Sequence, residues 1–158
     1  MNLNFASFTG LRLVKLEDRK PKKEGLKLQS FANEAQFLVL NRASAQDLHS
    51  QSQLDGEQDV DWMLEQFRGN LVIDNCHQYE EDNWTCICIN DLTLNVMGPC
   101  TRCNIISVNQ ATSEKVQEPL ESLAKNQERR FKFGVLAGSS ESMAGKSLTI
   151  GCHVQFNS

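Results

Sequence analysis

Trp84-Thr85-Cys86-Ile87-Cys88-Ile89-Asn90-Asp91-Leu92-Thr93-Leu94-Asn95-Val96-Met97 is the stretch that decides the fold. Its two arms alternate with period two, as half-buried strands do, and Asn90-Asp91 between them reads as the turn of an antiparallel hairpin. Ile87 and Ile89 fall on one face of the first arm, Cys86 and Cys88 on the other, where buried thiols behave as small hydrophobes.

Gly98-Pro99-Cys100-Thr101-Arg102-Cys103 follows at once, past a strand expected to end at Met97. Two thiols three residues apart flank a guanidinium, placed to converge at a strand-to-strand corner. A neighbouring cation favours the thiolate, the form of cysteine that attacks or binds metal. The pattern points to soft-metal or sulfur chemistry, but a C-x-x-C alone also accommodates zinc, redox exchange and burial. Cys86, Cys88, Cys100 and Cys103 together offer the four thiolates of a structural zinc, although the one-residue spacing of the first pair is shorter than usual.

Upstream, Phe67-Arg68-Gly69-Asn70-Leu71-Val72-Ile73-Asp74 is the second informative stretch. Arg68 and Asn70 stand two apart where a helix hands over to a strand, and in an extended segment they share a face. A guanidinium and an amide suit a phosphate or a heterocycle; the alternative is an Arg68–Asp74 pair with Asn70 making a turn. Before it, 36–40 reads as a strand, Ser44 and Asp47 as a capping box opening a helix to about 54, and 58–66 as a second helix. His49 has no identifiable partner. Residues 11–16 read as a first strand and 17–30 as a charged, solvated loop.

Downstream, the pattern predicts a strand over 104–108, a polar turn over 109–113, and a helix from Pro119 to about 127. A strand over 131–137, a serine-rich loop and a closing strand over 146–156 complete the chain. The acidic 79–83 reads as solvated. Cys152 and His153 are neighbours on that last strand, so they point to opposite faces and do not pair as nucleophile and base. Many short strands in series give a mainly β fold, an antiparallel barrel with a few peripheral helices.

Composition narrows the function. The chain has 158 residues, 40% of them apolar, enough for one core and a single domain. A formal net charge of -4 and a pI near 5.4 give no global basic footprint for nucleic acid. Residues 1–10 carry no secretory-signal pattern and read as the remnant of a preceding segment, and no apolar run approaches membrane-spanning length. The expected compartment is the reducing cytoplasm, which leaves Cys76, Cys86, Cys88, Cys100, Cys103 and Cys152 as thiols.

Phe67-Arg68-Gly69-Asn70-Leu71-Val72-Ile73, then Glu81-Asp82-Asn83-Trp84, then Cys100-Thr101-Arg102-Cys103, resembles the MOSC domain. Gly98-Pro99-Cys100 and Ala32-Asn33-Glu34-Ala35-Gln36-Phe37-Leu38 resemble the C-terminal part of eukaryotic molybdenum cofactor sulfurases within that family. The resemblance covers about 11–156. It implies a MOSC-like β-barrel that holds the molybdenum cofactor, molybdopterin with its metal. Arg68 and Asn70 would bind the pterin's phosphate end, and Thr101, Arg102 and Cys103 the metal end, with Cys103 meeting the molybdenum. Two features depart from the family pattern: Gly69 stands where many relatives have proline or alanine, and the chain lacks both the N-terminal barrel segment and the pyridoxal-phosphate desulfurase region of full sulfurases.

The implied function is a sulfurtransferase module with Cys103 and Cys100 as its working thiols. It would take persulfide sulfur from a separate cysteine desulfurase and sulfurate the cofactor for xanthine dehydrogenase and aldehyde oxidase. Two other classes fit the same residues. A molybdenum-dependent reductase of N-hydroxylated compounds would keep Cys103 as a permanent ligand and need an electron donor. A non-catalytic cofactor- or zinc-binding module would carry no turnover. The Pro99-Cys100 setting favours the transferase.

Overall fold

A computed structural model describes residues 35–52, 54, 56, 58–143 and 145–158. The expected strand over 11–16 and the charged loop over 17–30 lie outside these residues. The described part is a six-stranded, curled half-barrel in the order β2-β1-β5-β4-β3-β6. Its strands are β1 (Phe37–Asn41), β2 (Leu71–Ile73), β3 (Cys86–Ile89), β4 (Leu92–Thr101), β5 (Lys132–Gly138) and β6 (Val154–Asn157). Every neighbouring pair is antiparallel except β1 and β2, which run parallel. A parallel pair needs a long crossover. Helices α1 (Arg42–Ser50) and α2 (Val60–Phe67) supply it, and a third helix, α3 (Leu120–Lys125), follows later.

The hairpin forms as its alternation dictates. Ile89 pairs with Leu92, and Asn90 takes φ +54° in the turn between them. Ile87 and Ile89 are buried, whereas Cys86 and Cys88 lie half-exposed on the outer face with their sulfurs 3.7 Å apart. The thiols are therefore not core hydrophobes.

Two apolar clusters divide the sheet. Val39, Ile73, Trp84, Ile87, Leu94 and Val135 fill its inner side, while Leu40, Met63, Phe67, Ile106, Leu123 and Phe133 pack it against the helices. Phe133 and Val135 are two apart yet serve opposite clusters. Gly134 between them has φ +71°, a left-handed conformation that breaks the alternation. The Phe67 and Phe133 rings stack at 4.0 Å, and burying each contributes about 1.5–3 kcal/mol.

Several sequence expectations are corrected. Helix α1 is capped by Asn41, whose side chain accepts from Ala43 N, because Ser44 is buried and its hydroxyl is engaged with Glu81 and Tyr79. The helix stops at Ser50 rather than near residue 54. His49 has a partner, Gln58 O, at 2.8 Å. Strand β4 does not end at Met97 but runs through Thr101, with irregular register on either side of Gly98-Pro99. Residues Asn104–Ser107 form a 3-10 helix instead of a strand, and this directs Ile106 into the helical cluster. The closing strand shrinks to β6, because its partner β3 ends at Ile89, opposite Val154. Residues 149–152 turn instead, with Gly151 at φ +90°.

The acidic 79–83 segment is also not solvated throughout. Glu81 is fully buried and accepts from Asn41 Nδ2 at 2.8 Å and Ser44 Oγ at 2.9 Å. Burial pushes its carboxyl above the usual range, against the lowering effect of those hydrogen bonds. Asp82 takes Arg129 in a two-bond fork, and that guanidinium lies 4.1 Å from the Tyr79 ring centroid.

Candidate functional site

Arg102 joins the two stretches that the sequence singles out. Its Nη1 donates to Cys100 Sγ at 3.0 Å and its Nη2 donates to the carbonyl of Phe67, while the guanidinium carbon sits 5.5 Å from the Phe67 ring centroid. Its backbone N–H donates to Phe131 O at 2.8 Å. A fork of donors is what allows one side chain to hold a thiol and a carbonyl together. The end of α2 is thereby tied to the C-x-x-C, and the contact of the arginine is with Cys100 rather than Cys103.

Arg68 follows Phe67 directly, and its situation is the reverse. It caps α2 in the left-handed conformation, φ 56° and ψ 40°, with its backbone N–H on Glu65 O. Its side chain is exposed and has no ion pair or hydrogen bond among the described residues. The alternative Arg68–Asp74 pair does not form; Asp74 lies 3.7 Å from Arg42 instead.

Gly69 lies hard against the helical core. A Cβ there would lie 2.5 Å from Leu40 Cδ1, and Leu40 is fully buried. The same leucine is flanked on its other side by Gly134, where a Cβ would come within 2.6 Å of it. The missing side chains make room for Leu40.

Asn70 locks β1 to the segment that enters β2: its N–H donates to Leu38 O, and its Oδ1 accepts from Leu38 N, both at 2.8 Å. Its amide NH2 has no partner among the described residues. Because Arg68 is left-handed rather than extended, the two side chains do not share one wall. Arg68 lines an open cleft of about 640 Å³ with Asp61, Glu65 and Gln110. Asn70 lines a larger one of about 1200 Å³ with Ile73, Cys76, Val154 and Cys152.

Cys103 is exposed at the start of the 3-10 helix, and its thiol has no partner among the described residues. Thr101, also exposed, pairs across the sheet with Lys132. Neither cleft is lined by Thr101, Arg102 or Cys103. The four cysteines of the zinc alternative do not assemble: no three potential metal ligands come together among the described residues.

Cys152, set aside on sequence grounds, lies in a turn with Thr149 Oγ1 and Asn90 Nδ2 each 3.3 Å from its sulfur. These contacts hold its thiol below the usual range, the Thr149 hydroxyl most of all. Cys76 and Cys86 are shifted the other way, first by burial.

The MOSC domain family model matches residues 28–155. The chain belongs to the MOSC domain family. Among curated relatives, the molybdenum cofactor sulfurase of Anopheles gambiae is 32% identical over 154 residues, covering 92% of this chain and 20% of that protein. The protein of the same name from Danio rerio is 37% identical over 134 residues, covering 79% and 16%. That from Drosophila melanogaster is 33% identical over 126 residues, covering 80% and 15%. The MOSC domain described here thus spans about a fifth or less of the length of these relatives.

The donor set fits a molybdenum cofactor. An open thiol is a soft ligand for a thiophilic metal, and an unpaired guanidinium beside a 640 Å³ cleft suits a phosphate. The Nε of Arg102 is buried and has no hydrogen-bond partner among the described residues. Among the described residues, no helix of this MOSC domain is long and apolar enough to cross a membrane.

Proposed function

We propose that this chain is the cofactor-holding, sulfur-delivering module of a molybdenum cofactor sulfurase. The carrying observation is the clamp of Arg102 on Cys100 and Phe67, which flanks an open thiol at Cys103 and an open guanidinium at Arg68. Family membership and the names of the relatives support the same reading.

In this reading Arg68 binds the phosphate end of the cofactor and Asn70 offers its amide NH2. Thr101, Arg102 and Cys103 form the metal end, with Cys103 the thiol that faces molybdenum. When bound, the cofactor supplies a metal centre able to carry terminal sulfur. Cys100 receives that sulfur from a separate, pyridoxal-phosphate-dependent cysteine desulfurase domain. The Cys100 thiolate attacks the outer sulfur of the donor persulfide, a new S–S bond forms, the donor's S–S bond breaks, and the donor leaves as its thiolate. Arg102 holds the Cys100 sulfur in position. The client enzymes are molybdenum hydroxylases, xanthine dehydrogenase and aldehyde oxidase, and the setting is the cytoplasm. The whole of 1–158 acts as one domain.

Purification from a cofactor-producing host tests this. The wild-type chain is expected to carry pterin and molybdenum, Cys103→Ser to lose molybdenum retention, and Cys100→Ser to keep the cofactor but lose sulfur transfer from an added desulfurase. Full retention and transfer in Cys103→Ser would overturn the assignment of the metal-facing thiol.

A further inference from the structure

Four large apolar side chains are strongly exposed among the described residues, and two of them flank the C-x-x-C. Ile105, 46% exposed, lies two residues beyond Cys103. Phe131, 39% exposed, lies across the chain from Arg102, whose N–H donates to its carbonyl. The backbone that presents Phe131 is unusual: Arg130 has φ 43° and Phe131 has φ 64°. Two consecutive non-glycine residues in the left-handed region are unfavourable, and such strain persists only where surrounding contacts enforce it. Here the Arg102–Phe131 hydrogen bond and the Lys132–Arg129 bond, 2.9 Å, hold the turn on either side.

The next residue, Lys132, is the cross-strand partner of Thr101 and is exposed. Opposed residues in a sheet project to the same face. Its ammonium has no ion pair or hydrogen bond among the described residues. An exposed aromatic ring, and a cation with no partner among the described residues, are therefore held beside Thr101 and Arg102 by a left-handed turn.

We infer that Phe131 and Lys132 form a further wall of the cofactor site: the Phe131 ring takes the face of a flat heterocycle, and Lys132 takes an anionic group on the same ligand. This rests on the cofactor reading above and extends it to two residues outside the family motifs. A planar, electron-poor ring system gains from stacking on an aromatic face, and a lysine ammonium is a compact point charge for an anion. Both are features of an anionic, pterin-bearing cofactor.

The test is cofactor affinity itself, read as pterin fluorescence after oxidation of the protein-bound and released fractions. The loaded wild-type chain, Arg68→Gly, Phe131→Leu, Phe131→Tyr, Lys132→Gln and Lys132→Arg are compared, each with a thermal melt. Phe131→Leu is expected to weaken retention about tenfold, and Phe131→Tyr, which keeps the ring, to restore it. Lys132→Gln is expected to weaken it about threefold, with a shallower salt dependence than wild type, and Lys132→Arg to restore it. Wild-type retention in both Phe131→Leu and Lys132→Gln, with loss in Arg68→Gly, would overturn this inference while leaving the cofactor reading intact. A wild-type chain that holds no pterin would overturn both. Lys132 is exposed, so its variants keep the inference testable if a substitution at Phe131 prevents folding.

Discussion

Arg68 and Arg102 come from the two stretches that mark this chain, and the fold treats them in opposite ways. Arg102 is engaged through both terminal nitrogens, its flat face and its backbone: a thiol, a carbonyl, an aromatic ring and a bond to Phe131. Arg68 stands one residue from that carbonyl with no hydrogen bond or ion pair to its side chain among the described residues, on a left-handed backbone that glycine would adopt more easily. Side chains committed to the fold and side chains left open require different explanations. The first kind builds the junction. The second kind is retained at a backbone penalty, which is the better indicator of a ligand.

Removing the committed partner should have the largest effect on stability. Arg102→Gln loses the charged fork to Cys100 and Phe67, and hydrogen bonds to charged groups contribute about 1.5–3 kcal/mol. Chemical denaturation should show a loss of about that size, and purified protein should retain little cofactor. Wild-type stability in Arg102→Gln would mean that the clamp between α2 and the C-x-x-C contributes nothing.

The next effect comes from the ground on which Arg68 stands. Gly69→Ala would place a Cβ 2.5 Å from Leu40 Cδ1 in a fully packed interior. Overpacking of this kind costs about 1–3 kcal/mol. In a Leu40→Ala background the added cost of Gly69→Ala should be smaller, because that change removes Cγ and Cδ1, the atoms in the way. A Gly69→Ala protein as stable as wild type would show that Leu40 has room to shift.

How much of this was legible in the sequence follows the same division. Period-two alternation gave the hairpin, the helical spacing of Val60, Met63, Leu64 and Phe67 gave α2, and the ordered motifs gave the family. What local pattern does not carry is which partner a polar group finds far along the chain. Glu81 sits in an acidic run, yet Asn41 and Ser44, 40 and 37 residues away, bury it. Arg102 meets Phe67 across 35 residues, and nothing in either stretch names the other. The strand expected over 104–108 failed because Ile105 and Ile106 look alike in sequence, while only Ile106 is drawn into the helical core. Phe131 and Lys132 gave no signal beyond β-strand alternation, since the left-handed turn and the cross-strand register that place them are not local patterns.

Glu81 extends the committed class to a titratable group, and its effect is a slope. Burial raises its carboxyl above the reference value of 4.5 in the folded chain, so the native state binds that proton more tightly than the unfolded state. The stabilisation associated with protonation is present below 4.5 and is lost as pH rises through the raised value. Relative to Glu81→Gln, wild-type stability should therefore decline as pH increases above 4.5, as followed by denaturation at a series of pH values. A difference that grows with pH would place Glu81 among the carboxylates stabilised by their ionised form, and a flat one would mean that folding leaves its proton affinity unchanged.

Arg68→Gly should have the smallest effect on the fold and is the sharpest test of the comparison. The side chain it removes makes no hydrogen bond or ion pair among the described residues, and the backbone it leaves, φ 56° and ψ 40°, is one where glycine meets no Cβ penalty. A left-handed non-glycine residue is unfavourable by about 1–2 kcal/mol, while a second glycine beside Gly69 adds freedom to the unfolded chain, at about 0.5–1 kcal/mol. The two terms nearly offset, so stability should stay level or rise by up to about 1 kcal/mol. Cofactor retention should fall nonetheless. A variant that folds at least as well and binds less can only have lost a group kept for the ligand. If Arg68→Gly is instead destabilised as much as Arg102→Gln, Arg68 also belongs to the architecture, and the phosphate-binding role proposed for it loses its physical basis.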